Sequence, residues 1–441
     1  MTSREKSILL AVSICHGLVH CYMLVFPMIY KSLGTALNLK FAGVGFVGMA
    51  SYLAFGFGAL PTGFLSDKLG ARILLIICIA GMTLASVVAF FATSEVGVVI
   101  ALVLLGLFGS LYHPVGLSLL STSIKELGKG LGIHGMAGTI GDACAPIVAG
   151  VVTARLGWSY SYLALGVLGG AVVALVARTL KQEPGPLVRA REHLHSMEQA
   201  EYLELGGRPE RPEHPEHTAR AELHARPGRP APTEDPEHPG FSQPKKGLGG
   251  ELIILYAVGM FYGLTYRVLM TFFPSYLSDR VTYIGGNVGR LGWISSGILV
   301  ISLVGPLLGG HLASTRRMIE RNLLVVFSML AALSLGFYFL RDAALILVAV
   351  PTVLLLYCFQ PLQNVLVAMS SHHTERGRVY GINYAVSFGV GALGAGMGGV
   401  IGERYGMRSI FLLMLGFCLV EIVLIAASRY LRRRSHEDGL P

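Results

Sequence analysis

Long apolar runs separated by short polar breaks dominate the chain. Twelve of them, at approximately 7–30, 41–64, 73–92, 97–121, 130–154, 159–179, 251–277, 288–312, 322–340, 344–368, 379–402 and 409–428, can each cross a bilayer as a helix. Such a crossing takes about 20 apolar residues. The runs fall as six, a gap, then six. The gap at 181–248 reads differently, with "RPERPEHPEHTARAELHARPGRPAPTEDPEHPG" rich in Pro, charge and His. It cannot bury a core and is expected to be a disordered linker. The pattern predicts four parts: a six-helix half at 1–180, a linker at 181–248, a second half at 249–430 and a tail at 431–441. The fold class is an all-α membrane protein.

Composition agrees. Only 14% of residues are charged, 53% are apolar and the mean hydropathy is +0.61, whereas soluble domains carry about 25% charged residues. The net charge of +9 needs no nucleic-acid partner, because cytoplasmic loops of membrane proteins collect Lys and Arg. With the linker set aside and the N-terminus inside, the inner loops hold fifteen basic residues and the outer loops eight. Both termini and the linker are therefore expected in the cytoplasm, with the chain in the inner (plasma) membrane. The first run has no small-residue cleavage site, so a signal peptide is not expected. All six Cys (Cys15, Cys21, Cys78, Cys144, Cys358, Cys418) fall in apolar runs, which argues against a disulfide framework.

The halves also repeat. "GKGLGI" at 128–133 matches "GRVYGI" at 377–382, and "GVVTARLG" at 150–157 matches "GVIGERYG" at 399–406, both at an offset of 249 residues. Repeated halves of this kind are a plan of secondary transporters, with the substrate site between halves near the midplane.

The loop after the second run reads "GFLSDKLGAR", and Gly63, Leu65, Asp67, Lys68, Gly70 and Arg72 match the signature Gly-x-Leu-x-Asp-basic-x-Gly-x-basic. On these residues the chain resembles the major facilitator superfamily, which implies twelve helices as two six-helix repeats. It also implies a cytoplasmic gate at Gly63, Asp67, Lys68, Gly70 and Arg72. The second-half counterpart, "GGHLASTRRM" at 309–318, lacks the Asp. "SICHGLVH" in the first run and "GSLYHPVG" in the fourth resemble the fosmidomycin-resistance branch, which implies drug export by proton antiport. Val19-His20 stands where that branch has Asn-Asp, so an imidazole replaces the expected acid. "GDACAPIVAG" at 141–150 is similar to the antiporter pattern of helix 5: Gly141, Pro146 and Gly150 match, and Ala145 and Ala149 replace Gly. Small residues there permit close helix packing, and Pro146 permits a kink.

A charge near the bilayer centre costs about 2.5–3.5 kcal/mol on insertion scales, so each needs a reason. Arg267 is the only Lys or Arg deep in a run. It suits a carboxylate, phosphonate or phosphate, or else bonds carbonyls or an acid. Asp142 is a candidate proton carrier, or a partner of Arg267 or His134. His113, Tyr112, His16, Gln363 and Tyr266 are candidate substrate contacts. Glu421 is expected to pack or meet a partner.

"ICHGLVHCYM" at 14–23 holds two Cys, two His and a Met. Four residues advance about 40° beyond a full helical turn, so His16, His20 and Met23 share one face while Cys15 and Cys21 point away. Three readings follow: proton or substrate handling at His20 with His16, a structural pair, or a soft-metal site at His16, His20 and Met23. The six linker His lack tight ligand spacing.

The leading expectation is proton-coupled export of a small, anionic or drug-like organic molecule by a monomer in the lipid bilayer. The alternatives are a copper or zinc transporter and a non-transporting sensor on the same fold. No nucleophile–base pair or phosphate loop suggests an enzyme, and no cofactor is expected.

Overall fold

The computed structural model describes residues 1–180, 249–313, 315–370 and 376–437. The linker and its six His lie outside the described residues, as do the last residues of the tail. Twelve helices are long and apolar enough to cross a membrane, one for each run. Spans 1–6 are Ser3–Leu37, Phe41–Thr62, Ala71–Phe91, Glu95–Leu120, Lys129–Leu156 and Trp158–Thr179. Spans 7–12 are Leu252–Arg280, Val288–Leu312, Arg316–Phe339, Asp342–Val367, Val379–Tyr405 and Met407–Leu431. Twelve crossings place the start of span 1 and the end of span 12 on one side, the terminal side. The opposite side is the far side.

Local chemistry sets the ends and breaks of these helices. Thr2 and Glu5 form a capping box at the start of span 1, and Ser94 and Asn287 cap spans 4 and 8. Gly157 (φ 104°) and Gly406 (φ 85°) turn the chain from span 5 to 6 and from span 11 to 12. They sit at the offset of the sequence repeat. Gly70 (φ 78°) alone separates two helices, in the "GFLSDKLGAR" loop. Span 4 breaks into Glu95–Gly109 and Tyr112–Ser123. Pro114 has no N–H for the Ser110 carbonyl four residues back, and the break falls there. Span 8 breaks in the same way at Ser302–Leu303, four residues before Pro306. Span 5 continues as one helix through Pro146. Span 11 holds a π-helical turn at Ala385–Gly389, a feature frequent at functional sites.

Glycine sets how closely the spans meet. Spans 1 and 5 touch backbone to backbone at Gly17 and Gly141; spans 7 and 11 do so at Gly263 and Gly391. Two further glycine contacts join the halves towards the far side: span 5 meets span 8 at Gly150 and Gly292, and span 2 meets span 11 at Gly45 and Gly399. Gly150 and Gly399 are again related by the repeat. A Lys31–Asp279 ion pair and a 2.8 Å bond from the Ala42 N–H to Glu403 add polar ties at the same end. The far side is therefore closed. A β-carbon on Gly150 would lie 2.9 Å from the Gly292 α-carbon. Gly150→Val is thus expected to hold the far side apart. A cysteine at buried Met23, deeper on span 1, should then react faster with a membrane-impermeant thiol reagent, and an unchanged rate would remove the glycine contact from the seal.

Candidate functional site

Four histidines gather in the first half. His16 and His20 lie one turn apart on span 1, with ring centroids 4.6 Å apart. His113 of span 4 sits 5.3 Å from His16 and 5.6 Å from His20, and His134 of span 5 stacks on His16 at 4.0 Å. The break before Pro114 delivers Tyr112 and His113 here. Tyr112 stacks against His16 and donates to the Val12 carbonyl at 2.5 Å. His16 Nδ1 meets the His134 carbonyl at 2.7 Å. A carbonyl only accepts, so Nδ1 carries the proton and Nε2 presents a lone pair. The pairing of His16 with His20 read from helical spacing is present, and Cys15 and Cys21 are buried. The partner the structure adds is His113: ring nitrogens of His16, His20 and His113 lie within 4.8 Å of one another.

Asp142 links this cluster to the other half. It is 0% exposed. One carboxylate oxygen accepts from His20 Nδ1 at 3.0 Å, and the other accepts from the Tyr357 hydroxyl of span 10 at 2.7 Å. Its partners are thus His20 and Tyr357, not Arg267 or His134. A buried carboxylate without partners would be costly, and two donors, one from each half, offset that cost. Tyr357 in turn faces Tyr266 of span 7, ring centroids 6.4 Å apart. The close approach of spans 1 and 5 at Gly17 and Gly141 brings His20 and Asp142 within bonding reach.

Arg267 is buried on span 7, 4% exposed. It bonds neither carbonyls nor an acid: among the described residues no carboxylate pairs with it. Its guanidinium lies over the Tyr52 ring of span 2, 3.8 Å from the centroid, and 5.4 Å from that of Tyr266. A stacked guanidinium keeps its in-plane N–H donors available, and its Nε has no hydrogen-bond partner. Tyr52, from an apolar stretch, gives no sign in the sequence of meeting Arg267.

Beside these groups, Tyr262, Tyr266, Gln360, Gln363, Asn364, Asn383, Tyr384 and Ser387 line a cavity of about 20 Å³. The Gln363 amide already donates to Asn383 at 3.0 Å and to the Leu255 carbonyl at 3.3 Å. His113 faces Tyr384 and Phe388 of span 11 from across the interface. Met23 is buried in the core. Glu421 is fully buried on span 12, against span 7, beside Cys418. In the loop after span 2, Lys68 is exposed and Arg72 donates to the Ala177 carbonyl at 2.7 Å within its own half. The side chains at Gly63 and Asp67 lie outside the described residues.

The arrangement therefore has a carboxylate bonded from both halves, an imidazole cluster beside it and an arginine without a counter-ion among the described residues, all between two six-helix bundles. The sequence profile of the Major Facilitator Superfamily matches residues 9–359 and 255–441. The chain belongs to that superfamily and has the fold of its transporters. It is 26% identical over 160 residues to the tetracenomycin C resistance and export protein of Streptomyces glaucescens, covering 36% of this chain and 30% of that one. It is 28% identical over 174 residues to the probable L-galactonate transporter of Escherichia coli (38% and 36%). With the multidrug efflux pump LfrA of Mycolicibacterium smegmatis it shares 34% over 131 residues (28% and 26%). The matches span about a third of the length of these curated relatives. Among solved structures, the D-xylose-proton symporter superposes with a TM-score of 0.70 at 14% identity, covering 96% of this chain and 97% of that one. A bacterial homolog of the human lysosomal transporter Spinster, inward-facing and unoccupied, superposes at 0.69 and 13% (97% and 98%). At such identities the likeness is one of fold alone.

Proposed function

We propose that this protein is a secondary active transporter that exports a small anionic organic molecule in exchange for protons. One observation carries the reading: buried Asp142 takes hydrogen bonds from His20 of one half and Tyr357 of the other. Alternating access moves the halves against each other, so a bond across them has to break and re-form in each cycle. Protonating Asp142 removes the charge that makes both bonds strong. The proton thereby biases the equilibrium between the two arrangements, which is what coupling requires. The groups around Asp142 are His16, His20 and Cys21 on span 1, His113 on span 4, His134 and Cys144 on span 5, Tyr262, Tyr266 and Arg267 on span 7, and Tyr357 on span 10. His20 receives or returns the proton.

Arg267, cationic and without a carboxylate partner, supplies the charge that binds an anion. Tyr266 lies beside it, and Tyr112, His113 and Gln363 are the further substrate contacts of this reading. Export is favoured by two of the relatives, an export protein and an efflux pump. The meeting of His16 with His113 joins the two stretches that resemble the fosmidomycin-resistance branch. The terminal side, richer in short-loop Lys and Arg, is assigned to the cytoplasm. There Asp67 and Arg72 belong to the gate, and the linker is a tether.

The test is reconstitution into proteoliposomes with a trapped pH-sensitive dye. Panels of carboxylates, phosphonates and cationic drugs are added under an imposed pH gradient. Proton flux stimulated by an anion, and lost in Arg267→Gln, is the expected result. Stimulation by cations alone would overturn the anionic assignment. Stoichiometric copper or zinc in the purified protein, lost on His16→Ala/His20→Ala, would replace this reading with metal transport.

A further inference from the structure

A second cavity lies at the far end of the bundle, away from the central cluster. It has a volume of about 880 Å³, between the ends of spans 1 and 7, the loop after span 7 and the start of span 10. Its charged lining consists of Lys31, Arg280 and Arg341 against Asp279 and Asp342. Hydroxyls from Ser32, Thr35, Ser275, Ser278 and Thr282 complete the polar wall.

Both acids are already engaged. Asp279 pairs with Lys31. Asp342 accepts from the Thr282 N–H at 2.6 Å and sits in the left-handed region at φ 50°, which fixes the loop after span 7 to the start of span 10. The arginines are not matched in the same way. Arg341 is exposed, and its guanidinium makes no hydrogen bond or ion pair among the described residues. Arg280 donates to the Tyr338 carbonyl at 3.3 Å and lies beside Tyr276, and its Nε is buried without a partner among the described residues. Spare guanidinium donors beside hydroxyls suit a carboxylate, phosphate or sulfonate group.

We propose that this far-side cavity is a second anion site, in which Arg341 and Arg280 take a carboxylate or phosphate group that competes with Asp279 for Lys31. The Lys31–Asp279 pair is 42% and 45% exposed, and an exposed pair of this kind is weak and readily exchanged. Asp279 occupies Lys31 as an internal stand-in for the anion. Because that pair ties span 1 to span 7, an anion that captures Lys31 also loosens the far-side seal. Span 7 then carries two cations towards an anion, Arg267 at the centre and Arg280 thirteen residues further on, about 20 Å along the axis at 1.5 Å per residue. The inference goes beyond the central site and stands whether or not Arg267 binds the transported molecule.

The experiment measures inorganic phosphate binding to the full-length protein in lipid nanodiscs, at ionic strength held constant with chloride. Arg341→Gln is expected to weaken binding about tenfold, the size of one charge-assisted contact. Asp279→Asn is expected to tighten it, because the internal competitor is gone, and Lys31→Ala to weaken it. Binding that is unchanged in Arg341→Gln, or no tighter in Asp279→Asn, overturns the proposal. So does binding that survives Arg341→Gln and is lost in Arg267→Gln, which would place the anion at the central site. All three far-side variants are at exposed positions, so each reads binding without a folding defect.

Discussion

Asp142→Asn is expected to reduce pH-gradient-driven transport to background while leaving a folded protein that still exchanges substrate without a gradient. Asn keeps the size of the side chain, and its carbonyl still accepts from His20 Nδ1. It loses the charge that draws both His20 and Tyr357, and it cannot take and release a proton. The bridge between the halves therefore no longer depends on pH. Asp142→Ala should do more damage. It leaves the His20 N–H and the Tyr357 hydroxyl without their acceptor, at about 1–3 kcal/mol for each buried group. Gradient-driven flux and substrate counterflow, measured side by side in proteoliposomes, separate the two effects. Loss of counterflow in Asp142→Asn as well would assign Asp142 to substrate binding or packing.

Gly141→Val is expected to abolish the folded protein or nearly so. A β-carbon at Gly141 would run into the Gly17 backbone of span 1, and backbone cannot move aside as a flexible side chain can. Inserting bulk into a packed contact costs typically about 1–3 kcal/mol, and more where nothing yields. Any separation of spans 1 and 5 also pulls His16 from His134 and His20 from Asp142. Gly135→Ala is the control on the same helix, since nothing lies within 4 Å of a β-carbon there. Size-exclusion recovery of a fluorescent fusion should be near zero for Gly141→Val and close to that of the parent for Gly135→Ala. Equal recovery of the two would mean that spans 1 and 5 separate freely.

Much of this architecture is legible in the sequence because the bilayer simplifies it. A helix that crosses lipid needs an unbroken apolar stretch, so each of the twelve runs became a span. The 249-residue offset reappears as matched turns at Gly157 and Gly406 and as matched inter-half contacts at Gly150 and Gly399. Helical spacing alone puts His16 beside His20. What spacing within one helix does not contain is the partner on another helix. Asp142 had two named candidate partners, Arg267 and His134, and took neither. Its actual partners, His20 and Tyr357, are 122 and 215 residues away. Tyr52 gave no signal at all, because a tyrosine in an apolar run is ordinary, and its stacking on Arg267 depends on how span 2 meets span 7. The far-side cavity was equally invisible. Lys31, Arg280 and Arg341 entered the sequence reading only as outer-loop charges, and three different spans have to converge before they line one space.

In the proposed cycle, protonation controls the bond between halves at Asp142. The most direct test of this control is a distance measurement between spin labels at Ala36, at the end of span 1, and Tyr283, just after span 7, both exposed on the far side. It should be made as a pH series on the parent protein and on Asp142→Asn side by side. The longer-distance population is expected to grow as pH falls in the parent protein, and the distribution to stay fixed in Asp142→Asn. A parent distribution that does not respond to pH, or the same response in Asp142→Asn, would contradict it.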